Sequence, residues 1–208
     1  MQLHKARYAG MDSDVARYIT TQIQETQRVV SAVLSSDALL QRIAGAADAC
    51  IHTIRSGGKI LLAGNGGSAA DAQHLAGEFV SRFAFDRPGM PAIALTTDTS
   101  ILTAIGNDYG YEKLFARQIQ AHARKGDVLI AYSTSGSSLN IINALKEARD
   151  REVVCIGMTG NRGGPMKELC DHYLDIPSPD TPRIQEGHTV LGHVLCGLVE
   201  SAIFKAST

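Results

Sequence analysis

The stretch that decides the fold is the apolar run Lys59–Ala63, followed by Gly64-Asn65-Gly66-Gly67-Ser68 and by helical spacing that continues through Glu78. An apolar run that stops at a glycine-rich turn and leads into a helix is the layout of an anion site. Glycines let the backbone approach a ligand, and the free N–H groups of the first helical turn point towards it. The stretch therefore predicts a strand, a phosphate-binding turn and a helix.

Similar apolar runs recur along the chain and alternate with helical segments. The β-branched-rich runs lie at 59–63, 91–95, 128–132, 153–158 and 172–176. Helical spacing occurs over about 12–35, 37–54, 68–84, 99–106, 111–123, 138–150, 164–170 and 183–204. This alternation predicts an α/β fold, with a five-stranded parallel sheet flanked by helices, two N-terminal helices and a long C-terminal helix. The length suits one domain over 11–208, and residues 1–10, which lack periodicity, are predicted to form a flexible tail.

Composition narrows the functional class. The chain has 208 residues, with 20 Lys and Arg against 21 Asp and Glu. The resulting net charge of -1 does not favour a nucleic-acid partner. No apolar run approaches the roughly 20 residues that span a bilayer, so we expect no membrane partner either. The four cysteines lie far apart without a C-x-x-C pair, which favours reduced thiols in a cytoplasmic protein.

A second loop, Ser133-Thr134-Ser135-Gly136-Ser137-Ser138, follows the central predicted strand and precedes a helix. Hydroxyl and backbone N–H groups at a helix start suit a phosphate, because they donate several hydrogen bonds and the helix dipole favours negative charge. Ser and Thr are also common helix caps and turn residues, and the pairing with the first glycine-rich loop is what favours phosphate. Neither loop has the spacing of a nucleotide signature, so a compact sugar phosphate fits better.

Four side chains on two predicted helices could bind a metal. His74 and Glu78 are four residues apart and share one helix face. Gln185 and His193, eight residues apart on the last helix, can share another, whereas His188 points away from His193. Two imidazoles, a carboxylate and an amide oxygen could bind Zn²⁺, although an ordinary hydrogen-bonded His–Glu pair explains the first two residues equally well.

Three further polar residues are candidates for substrate contacts. Arg82, one turn beyond Glu78, could hold a carboxylate or phosphate, or could be a solvated helix residue. Asn107 and Asp108 could bind sugar hydroxyls, although Asn-Asp beside glycine is also ordinary turn chemistry.

The combined motifs resemble the sugar isomerase (SIS) family and, within it, the bacterial phosphoheptose isomerases. The resemblance covers nearly the whole chain from about residue 12. It is carried by the loop 64–68, the helix from His74 to Glu78, the turn 106–109, the loop 133–138, and the segment 184–188 with His193.

The resemblance implies a function and a site. The implied reaction converts sedoheptulose 7-phosphate to glycero-manno-heptose 7-phosphate through an enediol, for the heptose of lipopolysaccharide cores or capsules. The implied substrate contacts are Asn65, Gly66, Gly67, Ser68, Glu78, Arg82, Asn107, Asp108, Ser133, Thr134, Ser135, Ser138 and Gln185. Zn²⁺, one per subunit, would be bound by His74, Glu78, Gln185 and His193, and Glu78 and His193 would transfer protons. A homotetramer with active sites at subunit contacts is also implied.

The dual role of Glu78 and His193 leaves two options open. A metal stabilises the deprotonated forms of its ligands, so either ligation loosens during turnover or one residue has a single role. Two rival functions also remain: a SIS adaptor that binds the replication initiator, and an isomerase of another phosphosugar, because a fold does not fix a function. A metal-dependent hydrolase is less favoured, since the loops suit holding phosphate.

Overall fold

The computed structural model describes residues 12–205, so the predicted tail over 1–10 lies outside the described residues. The described chain forms seven α-helices, five strands and two 3-10 turns. The helices are α1 Ser13–Leu34, α2 Asp37–Arg55, α3 Gly67–Val80, α4 Thr99–Tyr109, α5 Leu114–His122, α6 Leu139–Asp150 and α7 Thr181–Phe204. The strands are β1 Ile60–Ala63, β2 Ala92–Ala94, β3 Val128–Ser133, β4 Val154–Gly160 and β5 His172–Ile176.

The strands form one parallel sheet in the order β2-β1-β3-β4-β5. Each buried strand sends alternate side chains to opposite faces. In β1, Ile60 and Leu62 join one core cluster and Leu61 and Ala63 the other. The first cluster draws on α1, α2, α3 and α7, and the second on α5 and α6. The predicted five-stranded parallel sheet flanked by helices is therefore confirmed.

Several predicted helices differ from the structure. The helix expected over 99–106 continues to Tyr109, so the predicted turn at 106–109 is instead the last turn of α4. The helix expected over 111–123 begins as the 3-10 turn Tyr111–Lys113, before α5.

Two other predicted helices are shortened or replaced. The helix expected over 68–84 ends at Val80, because the N–H groups of Phe83 and Ala84 donate to the carboxylate of Glu200 instead of to helix carbonyls. The segment expected to be helical over 164–170 is the 3-10 turn Pro165–Leu169, which follows Gly164 at a φ of 106°.

Helix α7 is long and apolar enough, by length and composition alone, to cross a bilayer. This differs from the expectation that no segment of the chain has that length and composition. In this fold it packs against α1, α2, α3 and the last two strands, and 44% of its most apolar window is buried. The core helix of a globular fold satisfies the same criterion, so α7 is explained by its place in the first core cluster.

Candidate active site

The two polar loops meet where the chain reverses its direction of winding across the sheet. After β1 the chain adds β2 on one side, and it then crosses over to place β3 on the other side of β1. Because all strands are parallel, the loops that follow β1 and β3 leave the same edge of the sheet side by side. Ligands of open α/β sheets bind at this kind of switch point.

The turn after β1 requires glycine for two different reasons. A Cβ atom on Gly64 would lie 2.3 Å from the carbonyl oxygen of Ser68, so no side chain fits there. Gly66 has a φ of 56°, which glycine adopts without strain. Helix α3 then begins at Gly67 without a side-chain cap, but the N–H groups of Ser68 and Ala69 donate to the carbonyls of Asn65 and Gly66, so they are not free as the sequence predicted.

Asn65 links the turn after β1 to the start of α6. Its Nδ2 donates to Asn140 Oδ1 at 2.9 Å, and Asn140 Nδ2 donates back to Asn65 Oδ1 at 2.8 Å. The hydroxyl of Tyr111 also donates to Asn65 Oδ1, at 2.9 Å. One N–H of the Asn65 amide is left for a substrate. Sequence reasoning missed Asn140, whose only signal is its position in the first turn of the helix after the serine loop.

The serine loop after β3 is organised by its own side chains. Ser133 Oγ donates to Ser138 Oγ at 3.0 Å, and Ser137 Oγ lies 3.0 Å from Ser135 Oγ. Ser138 precedes α6 without capping it through its side chain. Gly136, at a φ of 67°, packs so tightly that a Cβ atom would lie 2.0 Å from the carbonyl oxygen of Gly163. Thr134 is only partly buried. The loop therefore holds its hydroxyl groups and the first turn of α6 on a backbone whose position is fixed by close packing.

Three potential metal ligands meet where α3 packs against α7. The Nε2 atoms of His74 and His193 lie 2.7 Å apart, and Glu78 Oε1 lies 3.7 Å from His74 Nε2. One ligand atom from each residue lies within 4.8 Å of the other two. Two imidazole nitrogens and a carboxylate oxygen form a donor set that suits Zn²⁺. The packing of α3 against α7 thus brings His193 next to His74 and Glu78, which sequence spacing alone could not show.

Gln185, the fourth predicted ligand, lies over the start of α3. A Cβ atom on Gly67 would lie 2.4 Å from Gln185 Nε2 and would displace its amide. Ser68 is buried beside it, and its N–H donates to the carbonyl of Asn65. The amide of Gln185 therefore lies against the glycine-rich turn.

Asp71 is a residue of this region that sequence reasoning missed. It lies one turn before His74 on α3, and its Oδ1 accepts a hydrogen bond from Thr189 Oγ1 at 3.1 Å. Burial raises the pKa of Asp71, against the opposing effects of that hydrogen bond and of His74. The hydrogen bond between Asp71 and Thr189 therefore connects α3 to α7. The only sequence signal is an acidic residue on the helix face that carries His74.

The other predicted substrate residues lie at the rim. Arg82 is exposed in the loop that follows α3. Asn107 and Asp108 are exposed at the end of α4, where Asn107 Nδ2 donates to Asp108 Oδ1 at 2.8 Å. Within residues 12–205, none of the three forms a hydrogen bond or ion pair with the metal cluster, so the folded chain leaves them available to a substrate or to another subunit.

His188 faces the sheet, as its spacing from His193 predicted. It is fully buried, its Nε2 lies 3.2 Å from the carbonyl oxygen of Thr159, and its ring packs edge-on against Tyr132. Burial lowers the pKa of His188 to about 4. The side chain is therefore a neutral link between α7 and the end of β4.

Comparisons with known proteins agree with this arrangement. The SIS domain family model matches residues 21–160. Phosphoheptose isomerase from Burkholderia pseudomallei (strain 1710b) is 67% identical over 194 residues, which cover 93% of this chain and 98% of the relative. The chain belongs to the phosphoheptose isomerase family of SIS-domain proteins.

More distant relatives support the same assignment. The phosphoheptose isomerase of Aneurinibacillus thermoaerophilus is 58% identical over 90% of this chain and 95% of its own length. The structure of phosphoheptose isomerase from Neisseria gonorrhoeae is 40% identical, has a TM-score of 0.84, and is matched over 90% of this chain and 99% of that one. These relatives favour an aldose–ketose isomerase and lend no support to the adaptor or to an isomerase of another phosphosugar.

Proposed function

We propose that this chain converts sedoheptulose 7-phosphate to glycero-manno-heptose 7-phosphate. The observation that carries the proposal is the cluster of His74, Glu78 and His193, the first two of which lie on the helix that begins at the glycine-rich turn, in a member of the phosphoheptose isomerase family. A ketose-to-aldose conversion needs a base near carbon, an acid near oxygen and an anchor for the phosphate. The site offers candidates for all three.

Proton transfer is assigned to two residues of the cluster. Glu78, as a carboxylate, removes the proton from C1 of the ketose and delivers it to C2. His193 donates a proton to the C2 oxygen as the enediol forms and takes one back from the C1 hydroxyl as the aldose forms, and it can also assist opening of the cyclic sugar. Removal from one carbon and delivery to the next passes through an enediol, so no external oxidant or reductant is needed.

The phosphate anchor is assigned to the serine loop. Ser133, Thr134, Ser135 and Ser138 would donate to the phosphate, together with the first N–H groups of α6. Asn65, Gly66, Gly67 and Ser68 would contact the sugar chain beside them, and Arg82, Asn107 and Asp108 would close the site from the rim. Binding energy gained at the phosphate then orients the reacting end of the sugar.

The metal cluster fits Zn²⁺, with one ion per subunit. His74, Glu78 and His193 would supply three ligands, and Gln185 would turn its amide oxygen towards them as the fourth. A bound Zn²⁺ ion supplies Lewis-acid polarisation of the C1 and C2 oxygens.

The decisive experiment is a coupled assay with sedoheptulose 7-phosphate. Protein is assayed as purified, after chelation, and after chelation followed by added Zn²⁺. We expect turnover to disappear on chelation and to return with Zn²⁺. Turnover that persists after complete metal removal would overturn the metal assignment while leaving the isomerase assignment intact.

Other outcomes of that assay would favour the rival functions. No turnover of the heptulose phosphate but turnover of a hexulose phosphate or an amino-sugar phosphate would transfer the assignment to another phosphosugar. No turnover of any sugar, with co-purification of the replication initiator, would indicate an adaptor.

We also propose that the chain acts as a homotetramer. Helix α1 exposes six large apolar side chains: Val15, Tyr18, Ile19, Ile23, Val30 and Leu34. Helix α7 exposes Val190, Val194 and Leu198 at a spacing of four residues, on one helix face. Contiguous apolar faces of this kind favour association. Sedimentation velocity is expected to show a species of four chains, and a monomer at micromolar concentration would contradict the proposal.

The proposed setting is the cytoplasm, where the product would feed heptose for lipopolysaccharide cores or capsules. All four cysteines are free, as expected in a reducing compartment. Fractionation of producing cells would test the location, and loss of heptose from surface polysaccharides on gene deletion would test the role of the product.

A further inference from the structure

An ion pair is buried beneath the loop between α3 and β2. The side chains of Arg87 and Glu200 are 2% and 0% exposed, and Arg87 Nε lies 3.0 Å from Glu200 Oε1. Burying two charges is costly unless the geometry is good and the remaining donors and acceptors are satisfied. Both side chains of this pair make further hydrogen bonds, which connect the loop to α3 and α7.

Glu200, on α7, binds the loop between α3 and β2 through two backbone N–H groups. Its Oε1 accepts from the N–H of Phe83 and its Oε2 from the N–H of Ala84, each at 2.8 Å. Burial by itself would raise the pKa of Glu200, but these two N–H groups and Arg87 outweigh burial and lower it. The carboxylate is thus held charged, with its acceptors engaged by the loop.

Arg87 fastens the same loop to the end of α3. Its Nη2 donates to the carbonyl of Glu78 at 2.8 Å, and its Nη1 donates to the carbonyl of Phe79 at 2.7 Å. Nη1 also lies within hydrogen-bond distance of the carbonyls of Ser81 and Pro88. The planar guanidinium can reach several acceptors at once, which a lysine cannot do.

Both members of the ion pair are connected by hydrogen bonds or packing to the proposed proton-transfer residues. Arg87 binds the backbone of Glu78 itself. Glu200 binds the backbone of Phe83, whose ring lies 5.4 Å from the ring of His193. Glu200 is also two helical turns after His193 on α7. Arg82 is held between the two anchor points, next to Phe83.

We propose that Arg87 and Glu200 are positioning residues that hold Glu78, His193 and Arg82 in their working arrangement. The inference rests on the proposed function, which assigns roles to those three residues. Neither Arg87 nor Glu200 touches the substrate. They act through the backbone of Glu78 and through the loop 81–88, in the way that outer partners orient metal ligands.

The chain offers a matched control in a second buried ion pair that makes no contact with the site residues. Asp127, which precedes β3, is 2% exposed and accepts from the N–H groups of Lys59 and Arg124 at 2.9 and 2.8 Å. Lys59 Nζ completes an ion pair with it at 2.6 Å. Asp127 therefore has the same kind of partners as Glu200, two backbone N–H groups and one basic side chain, but no link to the site.

The test compares E200Q with D127N in the full-length protein. Melting temperature, Co²⁺ affinity by competition with a chromophoric chelator, and kcat and KM are measured for both. We expect similar losses in melting temperature. We also expect E200Q alone to weaken Co²⁺ binding and lower kcat by about 10- to 100-fold each, the usual cost of losing an outer partner. D127N is expected to keep both values within about twofold of the wild type.

The variant R87K tests whether the shape of the guanidinium matters in addition to its positive charge. It also replaces E200Q in the test if E200Q does not fold. Lysine keeps a positive charge beside Glu200 but loses the fork onto Glu78 and Phe79. We expect reduced Co²⁺ affinity and kcat in R87K as well. Wild-type values in a folded E200Q or R87K, or equal losses in D127N, would overturn the inference. A wild type that binds Co²⁺ but does not isomerise the sugar would instead overturn the proposed function.

Discussion

The serine loop and the metal cluster are built in opposite ways. The side-chain hydrogen bonds of the serine loop join residues at most five positions apart, as between Ser133 and Ser138, although its backbone carbonyls also accept from the N–H groups of Gly160 and Met166. In the metal cluster, His74 and His193 are 119 positions apart and meet only because α3 packs against α7. The side chains proposed to bind phosphate are thus arranged largely within one loop, whereas the proposed reacting groups depend on how two helices are held together.

This difference predicts that damage to one region spares the other. The serine loop is backed by the loop at 163–164, through the close approach of Gly136 to Gly163. The cluster is backed by Asp71 with Thr189 and by the buried ion pair Arg87–Glu200. The two sets of supports share no residue, so substitutions should separate binding of phosphate from chemistry at carbon.

The largest effect is expected for E78Q. Loss of the base should lower kcat by roughly 1,000-fold, within the range contributed by general acid–base groups. The affinity for sedoheptulose 7-phosphate, measured by calorimetry, should change little, because the serine loop is intact.

E147Q on α6 provides the matched control for E78Q. The side chain of Glu147 is 21% exposed, close to the 24% of Glu78, and it pairs with Arg151 away from the site. Normal turnover in E78Q would refute the base assignment, and an equal loss of substrate affinity in E78Q would refute the separation of the two regions.

A smaller effect with the opposite pattern is expected for S135A/S138A. Removal of two exposed donors to the phosphate should raise KM by roughly 10- to 100-fold, at a typical net cost of about 1 kcal/mol for each hydrogen bond. Co²⁺ affinity at the cluster should be unchanged. The control is S137A in the same loop, for which we expect KM within about twofold of the wild type. Weaker Co²⁺ binding in S135A/S138A would show that the two regions are coupled.

The smallest effect concerns His188, which joins the two regions by linking α7 to Thr159 at the end of β4. Its pKa is about 4 in the folded chain against 6.5 for an ordinary histidine, so between these values the unfolded chain binds the extra proton. Stability attributable to His188 therefore falls as pH decreases from about 6.5 to 4, by at most about 1.4 kcal/mol per pH unit.

H188Q tests this linkage. Urea unfolding at fixed protein concentration should show the wild type losing about 2 kcal/mol more than H188Q between pH 6.5 and pH 5. Parallel pH dependences for the two proteins would mean that His188 is accessible to protons in the folded chain.

Sequence reasoning succeeded where the determinants are local. Alternating apolar runs and helical spacing predicted the five parallel strands, and glycine and serine spacing located the two polar loops that follow β1 and β3. The failures follow from distant partners. Helix α3 ends at Val80 rather than near 84 because Glu200, 116 and 117 positions away from Ala84 and Phe83, captures the next N–H groups. Asn140 and Asp71 carried too weak a local signal to be singled out.

The sequence by itself determined the order of strands and helices, the glycines that permit close backbone approach, and the pairing of His74 with Glu78 on one helix face. Those features depend on backbone conformations and helix periodicity, which act within a few residues. Only the tertiary structure decided that His193 completes the cluster, that Gln185 lies over Gly67, and that Arg87 and Glu200 clamp the loop between α3 and β2. These contacts arise from the burial of apolar helix faces against one sheet, which brings together residues more than one hundred positions apart.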